Sequence, residues 1–222
     1  MTVLTLTCPS WSGALPDELT AGSAHAHRVP ARPGREDVDP LLASLAPTRL
    51  VVAGDDADLA AVVLRLMRTE RLAGTEVAYL PADAGSAVAD TWALPTGPSA
   101  AAALAVRGEP DRVPLVRDDA GGVLLGRGEI RPMRGVVYCD EHLVLRGQAA
   151  RLEVTPLAPV GVDVRARGVG WLGRVRAAHG RAVQVGCVSA TVLLDGVPHP
   201  RPVTRWTWYR HTEDLRLVRG VG

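Results

Sequence analysis

The chain has 222 residues, of which 47% are hydrophobic, and carries a formal net charge of +1 at pH 7. A charge balance this even gives no electrostatic reason to bind nucleic acid or an anionic membrane. No apolar stretch approaches the roughly 20 residues that span a bilayer, and the N-terminus lacks the basic region of a signal peptide. We therefore expect a cytoplasmic protein without a transmembrane segment.

The first half of the sequence alternates short apolar strands with helical segments. Strands are expected at 2–7, 27–31, 49–54 and 75–81, and helices at 36–45, 59–68, 87–92 and 99–107. Continuously apolar strands such as 49–54 are typical of a parallel sheet that helices cover on both faces. Residues 1–112 therefore predict an N-terminal domain built on a parallel α/β sheet.

From residue 113 onward, short segments of period two are separated by Gly and Pro turns. About ten such segments without a convincing helix predict an antiparallel β-sandwich-like domain. The domain boundary is expected near residue 112, and a helix of three or more turns after residue 130 would contradict this interpretation.

The amino-acid composition excludes some kinds of catalytic and binding site. There is no Lys, Asn or Phe, so all 25 basic residues are arginine, a bias typical of a GC-rich bacterial genome. A Schiff-base lysine and a P-loop lysine are therefore both excluded. The three cysteines, Cys8, Cys139 and Cys187, lie far apart, which favours reduced thiols over a disulfide or a zinc site.

Two turns rich in Gly and Asp follow apolar strands, and an open parallel sheet places its ligands at these strand ends. The first turn is Ala53-Gly54-Asp55-Asp56-Ala57, and the second lies within Pro81–Pro95. The first turn resembles the motif G-G-D-G-T of the diacylglycerol kinase and NAD kinase superfamily, and the second resembles the family's P-L-G-T-G-N-D-F-A-R-x-L-G-I-P, of which Pro81, Gly85, Ala89 and Pro95 are kept. Cys8-Pro9 with Ser12-Gly13 resembles the family's N-P-x-S-G loop, and Asp195-Gly196 resembles its D-G-E turn.

The resemblance implies a kinase fold, with ATP and Mg²⁺ as cofactors and a lipid hydroxyl as phosphate acceptor. Matched to the motifs, the cofactor-binding residues would be Ser12, Gly13, Gly54, Asp55, Asp56, Gly85 and Ser86, and Asp195 would be the catalytic base.

Several motif positions depart from the family pattern. Asp56 and Asp83 replace glycines, so two carboxylates stand beside the expected triphosphate and predict weak ATP binding. Val197 replaces the Glu of D-G-E, and Cys8 replaces the Asn of the first loop.

Structural explanations compete with each of these roles. Asp55 or Asp56 could cap the following helix, and Ser86 could cap the helix after it. Asp195-Gly196 is also the strongest short signal for a two-residue hairpin turn. Both readings of each residue stay open at this point.

The segment from His199 contains two of the five tryptophans. Strand alternation places Arg205, Thr207, Tyr209 and His211 on one face, with Trp206 and Trp208 on the other. Arg205, Tyr209 and His211 are candidate substrate-binding residues for an anionic headgroup, on a strand expected to line a cleft between the domains. The alternative is a core strand with an ordinary exposed face.

Two functions therefore remain. One is a diacylglycerol kinase-like protein that phosphorylates a lipid hydroxyl; the alternative is an inactive pseudokinase that binds a lipid, a metabolite or a partner. The expected ligand is a lipid or small molecule, a homodimer is an open alternative, and nucleic acid is not expected.

Overall fold

The computed structural model describes residues 2–20, 24–168 and 174–220. The chain forms two compact units. The first contains Met1–Val113 together with Glu213–Gly222, and the second contains Pro114–Thr212.

The first unit is built on a parallel sheet of buried apolar strands. Its strands are β1 (Val3–Thr7), β2 (Ala24–Arg28), β3 (Arg49–Gly54) and β4 (Glu76–Pro81). They lie side by side in the order β2-β1-β3-β4, and every pair is parallel. Residues 49–54 are all buried, as expected for a strand covered on both faces.

Helices follow the strands of this sheet. They are α1 (Arg35–Leu45), α2 (Asp56–Arg68), α3 (Ala87–Trp92) and α4 (Pro98–Arg107), and a short 3-10 helix spans Asp17–Leu19. All four α-helices and three of the four strands lie where the sequence places them. The second strand was wrongly placed at 27–31; it begins at Ala24 because His25 and His27 pair with β1.

The second unit is antiparallel and contains two sheets. Its strands are β5 (Glu109–Asp118, which begins in the first unit), β6 (Val123–Leu124), β7 (Gly128–Ile130), β8 (Met133–Cys139), β9 (His142–Ala149), β10 (Arg151–Leu157), β11 (Gly161–Arg167), β12 (Val175–Gly180), β13 (Ala182–Ala190), β14 (Val192–Leu194), β15 (Val197–Pro198) and the first part of β16 (Val203–Gly220). One sheet has the order β16-β13-β8-β9, and the other β12-β11-β10-β7-β14-β15. Residues 130–168 and 174–220 contain no helix, so the predicted class of an α/β domain followed by a β-rich domain is confirmed.

Buried side chains from both sheets form the core of the second unit. Trp208 is fully buried and Trp206 is 2% exposed, and they meet edge to face with centroids 6.1 Å apart. A Cβ on Gly128 would lie 2.9 Å from the Trp208 ring, so glycine is needed where the strand crosses the indole. The tryptophans fill space that phenylalanine would fill in another sequence.

The final strand differs from the sequence expectation. Polar residues separate the period-two segments 205–210 and 215–220, yet both belong to the continuous strand β16. Arg216 and Leu217 pair in parallel with Glu76 and Val77 of β4. The last residues of the chain therefore complete the sheet of the first unit. A single domain boundary near residue 112 would have assigned them to the second unit.

Arg49 connects three elements of the first unit. Its guanidinium donates to the carbonyls of Ala105, Val106 and Gly108 at the end of α4 and to the Glu76 carboxylate at 2.8 Å. Glu76 also accepts from Arg216 at 3.0 Å. The buried cation thus satisfies helix carbonyls that have no partner within the helix.

The core position of Trp208 gives a first prediction. Trp208→Ala should lower the free energy of unfolding by roughly 3–5 kcal/mol, because it leaves a large cavity in the sandwich core. Arg205→Ala, on the same strand but exposed, should change it by no more than about 0.5 kcal/mol. Urea denaturation of both variants measures the difference. Equal losses would show that the two faces of β16 have been assigned incorrectly.

Candidate functional site

The carboxyl ends of three parallel strands bring three loops together in the first unit. Thr7 at the end of β1 pairs with Ala53 of β3, and Gly54 pairs with Pro81 at the end of β4. The loops beginning at Cys8, Asp55 and Ala82 therefore start at one edge of the sheet. In an open parallel sheet this edge is where ligands bind.

The second loop begins α2 with a reciprocal cap. The Asp55 carboxylate accepts from the Asp58 amide at 2.8 Å, and the Asp58 carboxylate accepts from the Asp55 amide at 3.1 Å. Asp58 also accepts from the Ser10 hydroxyl at 2.6 Å and the Arg32 amide at 2.6 Å. Asp58 is 1% exposed, so a buried carboxylate joins the loops after β1, β2 and β3.

Asp56 reaches across to the loop after β4. Its Oδ2 accepts from the backbone amides of Ala87 and Val88, at 2.7 and 3.3 Å, at the start of α3. Its Oδ1 accepts from the hydroxyls of Ser86 and Tyr79, at 2.5 and 2.9 Å. The carboxylate therefore accepts from four donors, three in the segment that resembles the family's phosphate loop and one, Tyr79, in β4.

Burial and carboxylate charge shift the titration of the groups around this edge. Burial, reinforced by the Asp58 carboxylate, raises the pKa of the Cys8 thiol to about 12. Burial and the Asp56 carboxylate raise the pKa of Tyr79, so the phenol remains a donor to Asp56. Burial also raises the pKa of Asp55, and Asp58 and Asp56 add to the effect. The electrostatic environment of the loops is unfavourable for a further anion.

The other predicted cofactor-binding residues have different surroundings. A Cβ on Gly54 would lie 2.7 Å from an Asp58 oxygen, and one on Gly13 would lie 2.6 Å from the Trp11 ring. Packing against neighbouring side chains is thus sufficient to require glycine at both positions. Ser12 and Gly85 are exposed, and the Gly85 amide donates to Asp83 at 2.5 Å.

Ser86 has a capping role as well as its contact with Asp56. Its Oγ accepts from the Ala89 amide at 2.9 Å, so Ser86 is the N-cap of α3. The capping interpretations of Asp55 and Ser86 both correspond to observed hydrogen bonds. Both side chains therefore accept a hydrogen bond at the start of a helix.

Asp195 lies in the turn between β14 and β15. Asp195 and Gly196 have φ values of 46° and 84°, the left-handed pair that a type I′ hairpin turn requires. The carboxylate accepts from the amides of Leu125, Gly126 and Arg127 at 2.9, 2.8 and 2.8 Å, and the residue is 6% exposed. The buried carboxylate thus holds the 125–127 segment against the hairpin turn.

The candidate ligand face of β16 is partly open. Arg205 is exposed, whereas Tyr209 and His211 are half-buried, and the buried indoles of Trp206 and Trp208 lie on the other face. The Arg117 guanidinium lies 5.8 Å from the centroid of the Tyr209 ring. The strand period of about 6.8 Å for two residues separates Arg205 from Tyr209 by roughly 13 Å.

Sequence reasoning missed Ser10, Asp58 and Tyr79, which hold the loops together. The D-x-x-D spacing of Asp55 and Asp58 is a capping signal that could have identified Asp58. Nothing local indicates that the Tyr79 hydroxyl reaches Asp56, because the contact depends on two adjacent strands.

Within residues 2–20, 24–168 and 174–220, no three His, Cys, Asp or Glu side chains are grouped as metal ligands would be. Nor does any helix in that part of the chain have the length and apolarity needed to cross a membrane.

The overall structure is similar to that of known kinases. A diacylglycerol kinase from Bacillus anthracis str. Sterne matches 99% of this chain and 97% of its own, with a TM-score of 0.74 and 12% identity. An NAD kinase from Archaeoglobus fulgidus, solved in complex with ATP, matches 99% of this chain and 94% of its own, with a TM-score of 0.59 and 12% identity. No family model matches the sequence, and no curated protein sequence matches it. At this level of identity the comparisons establish the fold.

The burial of Asp58 gives a second prediction. Asp58→Ala should lower the free energy of unfolding by about 1–3 kcal/mol, because the Arg32 amide loses its acceptor and the Asp55 amide keeps only Ser10. Asp83→Ala, in an exposed loop at the same sheet edge, should cost no more than about 0.5 kcal/mol. Thermal and urea unfolding compare the two. A loss as large for Asp83 would show that Asp58 has no special structural role.

Proposed function

Because the chain has the fold of the diacylglycerol kinase and NAD kinase superfamily, we propose that it is a diacylglycerol kinase-like pseudokinase. In this role the protein keeps the kinase fold as a binding protein and does not transfer phosphate from ATP. One observation carries the proposal: the Asp56 carboxylate is bound by the loop in which the family resemblance places phosphate.

The donors around Asp56 are those that a phosphate loop offers an anion. Backbone amides at the start of α3 and the Ser86 hydroxyl point at one negatively charged group, and that group belongs to the protein itself. A phosphate oxygen would have to displace Asp56 and then remain beside its charge. An internal ligand loses no translational freedom when it binds, so it opposes nucleotide binding.

ATP and Mg²⁺ do not fit the residues present at this edge. Asp55, Asp56 and Asp58 lie in one turn of chain, and a triphosphate would add negative charge to theirs. Magnesium could screen the repulsion, but Asp58 and Asp56 already accept several hydrogen bonds each from protein donors. This mismatch supports a function that does not depend on bound nucleotide.

The alternative is an active lipid kinase in which Asp195 removes a proton from the acceptor hydroxyl. A general base needs a free lone pair within hydrogen-bond reach of that proton. Three backbone amides of the second unit occupy most of the lone-pair sites of the Asp195 carboxylate. The contacts favour a structural role and weaken the case for catalysis.

The ligand of the proposed pseudokinase is a lipid or small molecule with an anionic group. The open face of β16 supports this class, since Arg205 offers a planar cationic donor and Tyr209 and His211 offer hydrogen-bonding groups on the same side. A second copy of the chain is an alternative partner that would use the same face of β16.

The occupied loop gives a third prediction. Wild-type protein should bind MgATP weakly and show no turnover on a lipid panel, whereas Asp56→Gly should bind MgATP about tenfold more tightly. Loss of one carboxylate close to the phosphates is worth on the order of 1–2 kcal/mol at partly solvated separations. Calorimetry measures affinity, and radiolabel transfer measures turnover. Asp83→Gly should give a smaller gain, because Asp83 is exposed.

Two controls accompany this experiment. Asp119→Gly removes one exposed carboxylate from the second unit and should leave the affinity for MgATP unchanged. Asp56→Asn removes the charge but keeps an oxygen that can accept from Ser86 and Tyr79, so it tests the charge if the glycine variant unfolds. Phosphorylation of a lipid by the wild type would overturn the proposal, as would tight MgATP binding that no Asp56 change alters.

A further inference from the structure

A pocket in the first unit is lined by none of the residues that contact Asp56. Its volume is about 580 Å³, and Ala93, Pro95, Ala100, Ala103 and Leu104 form its walls. Pockets of about 300–1,000 Å³ with mainly apolar walls are typical of small-molecule sites. Ala100 and Ala103 leave the space open, because a longer side chain at either position would occupy it.

The charged side chains that line this pocket are both arginines, Arg107 and Arg219. Arg107 is exposed in the last turn of α4, and the side chain of Arg219 is 32% exposed. Apolar walls beside two guanidinium groups are complementary to a molecule with an aliphatic part and an anionic head.

The Arg219 guanidinium is held in place by its neighbours. Its Nε lies 3.2 Å from the Asp111 carboxylate, and its centre lies 5.9 Å from the centroid of the Trp92 ring. A guanidinium carries five N–H donors, so the contact through Nε leaves others for a ligand. A positioned cation loses less freedom on binding than a mobile one.

Arg107 is not needed to cap its own helix. The carbonyls at the end of α4 already accept from Arg49, which donates to Ala105, Val106 and Gly108. The donors for these carbonyls therefore come from Arg49 of β3 and not from a side chain of α4 itself. The Arg107 side chain remains at the pocket, where its aliphatic stem extends the apolar wall.

Charge and shape together select the occupant. Arg107 and Arg219 are the charged side chains of the lining, so the pocket offers cationic donors to an anionic head. The walls contain no aromatic side chain, and Trp92 is 4% exposed beneath Arg219, so stacking of a nucleobase has no support. The geometry points to a site for a single-chain amphiphile with an anionic head, such as a medium-chain carboxylate or alkyl phosphate.

This inference is independent of the pseudokinase proposal, since it uses none of the residues at the loops after β1, β3 and β4. Calorimetry with the full chain, below the critical micelle concentration, tests it with octanoate, decanoate and decyl phosphate. Each added methylene should strengthen binding by up to about fourfold while the tail is buried. The relative affinities of decanoate and decyl phosphate distinguish the two headgroups.

Two variants define the site. Arg107→Gln should weaken decanoate binding by about tenfold, the effect of losing one charge-assisted contact. Ala103→Leu should abolish binding by filling the pocket, and leucine keeps a strong helix-forming residue in α4. The matched controls are Arg146→Gln on β9 and Ala43→Leu on α1, both at exposed positions outside the pocket, and neither should change affinity.

Three outcomes would overturn the proposal. Equal binding of decyltrimethylammonium would show that the arginines do not select an anion. Binding of inorganic phosphate as tight as that of decyl phosphate would show that the apolar walls contribute nothing. Unchanged decanoate binding in folded Ala103→Leu protein, with folding confirmed by thermal unfolding, would place the amphiphile elsewhere.

Discussion

The hydrogen bonds from backbone amides to aspartate carboxylates organise the loops of this protein. Asp56 binds the amides at the start of α3, and Asp58 binds the amides of Arg32 and Asp55. An amide buried without an acceptor costs free energy comparable to a lost hydrogen bond, so loops at a strand end need an anion or another acceptor. In this chain the anions are side chains placed directly after β3.

The same arrangement occurs in the second unit. Asp195 accepts three consecutive amides, from Leu125 to Arg127, at the end of a hairpin turn. Asp140 accepts the amides of Arg181 and Ala182. The chain thus supplies its own carboxylates to groups of backbone donors in both units. Residues that resemble catalytic and nucleotide-binding positions then serve the fold, which is the physical basis of the pseudokinase proposal.

Arginine is the cationic counterpart of these carboxylates. In a sequence without lysine, Arg49 caps α4 from β3, and Arg65 pairs with Asp39 between α2 and α1 at 2.6 Å. The planar guanidinium can bind several carbonyl and carboxylate oxygens at once, as Arg49 does. Because Arg49 satisfies the end of α4, Arg107 is left at the rim of the apolar pocket. The capping of α4 by Arg49 thereby leaves Arg107 available to the candidate binding pocket.

The sequence by itself determined the fold class and most elements of this protein. Continuous apolar runs define β3 and β4, helical spacing defines the α-helices, and period-two segments define the β-rich part, because each pattern is local. Tertiary structure decided which interactions the motif residues make. The return of 213–220 to the parallel sheet, the bond from Tyr79 to Asp56 and the three amides on Asp195 join residues distant in sequence. No local period encodes such contacts, since strand order and packing bring the partners together.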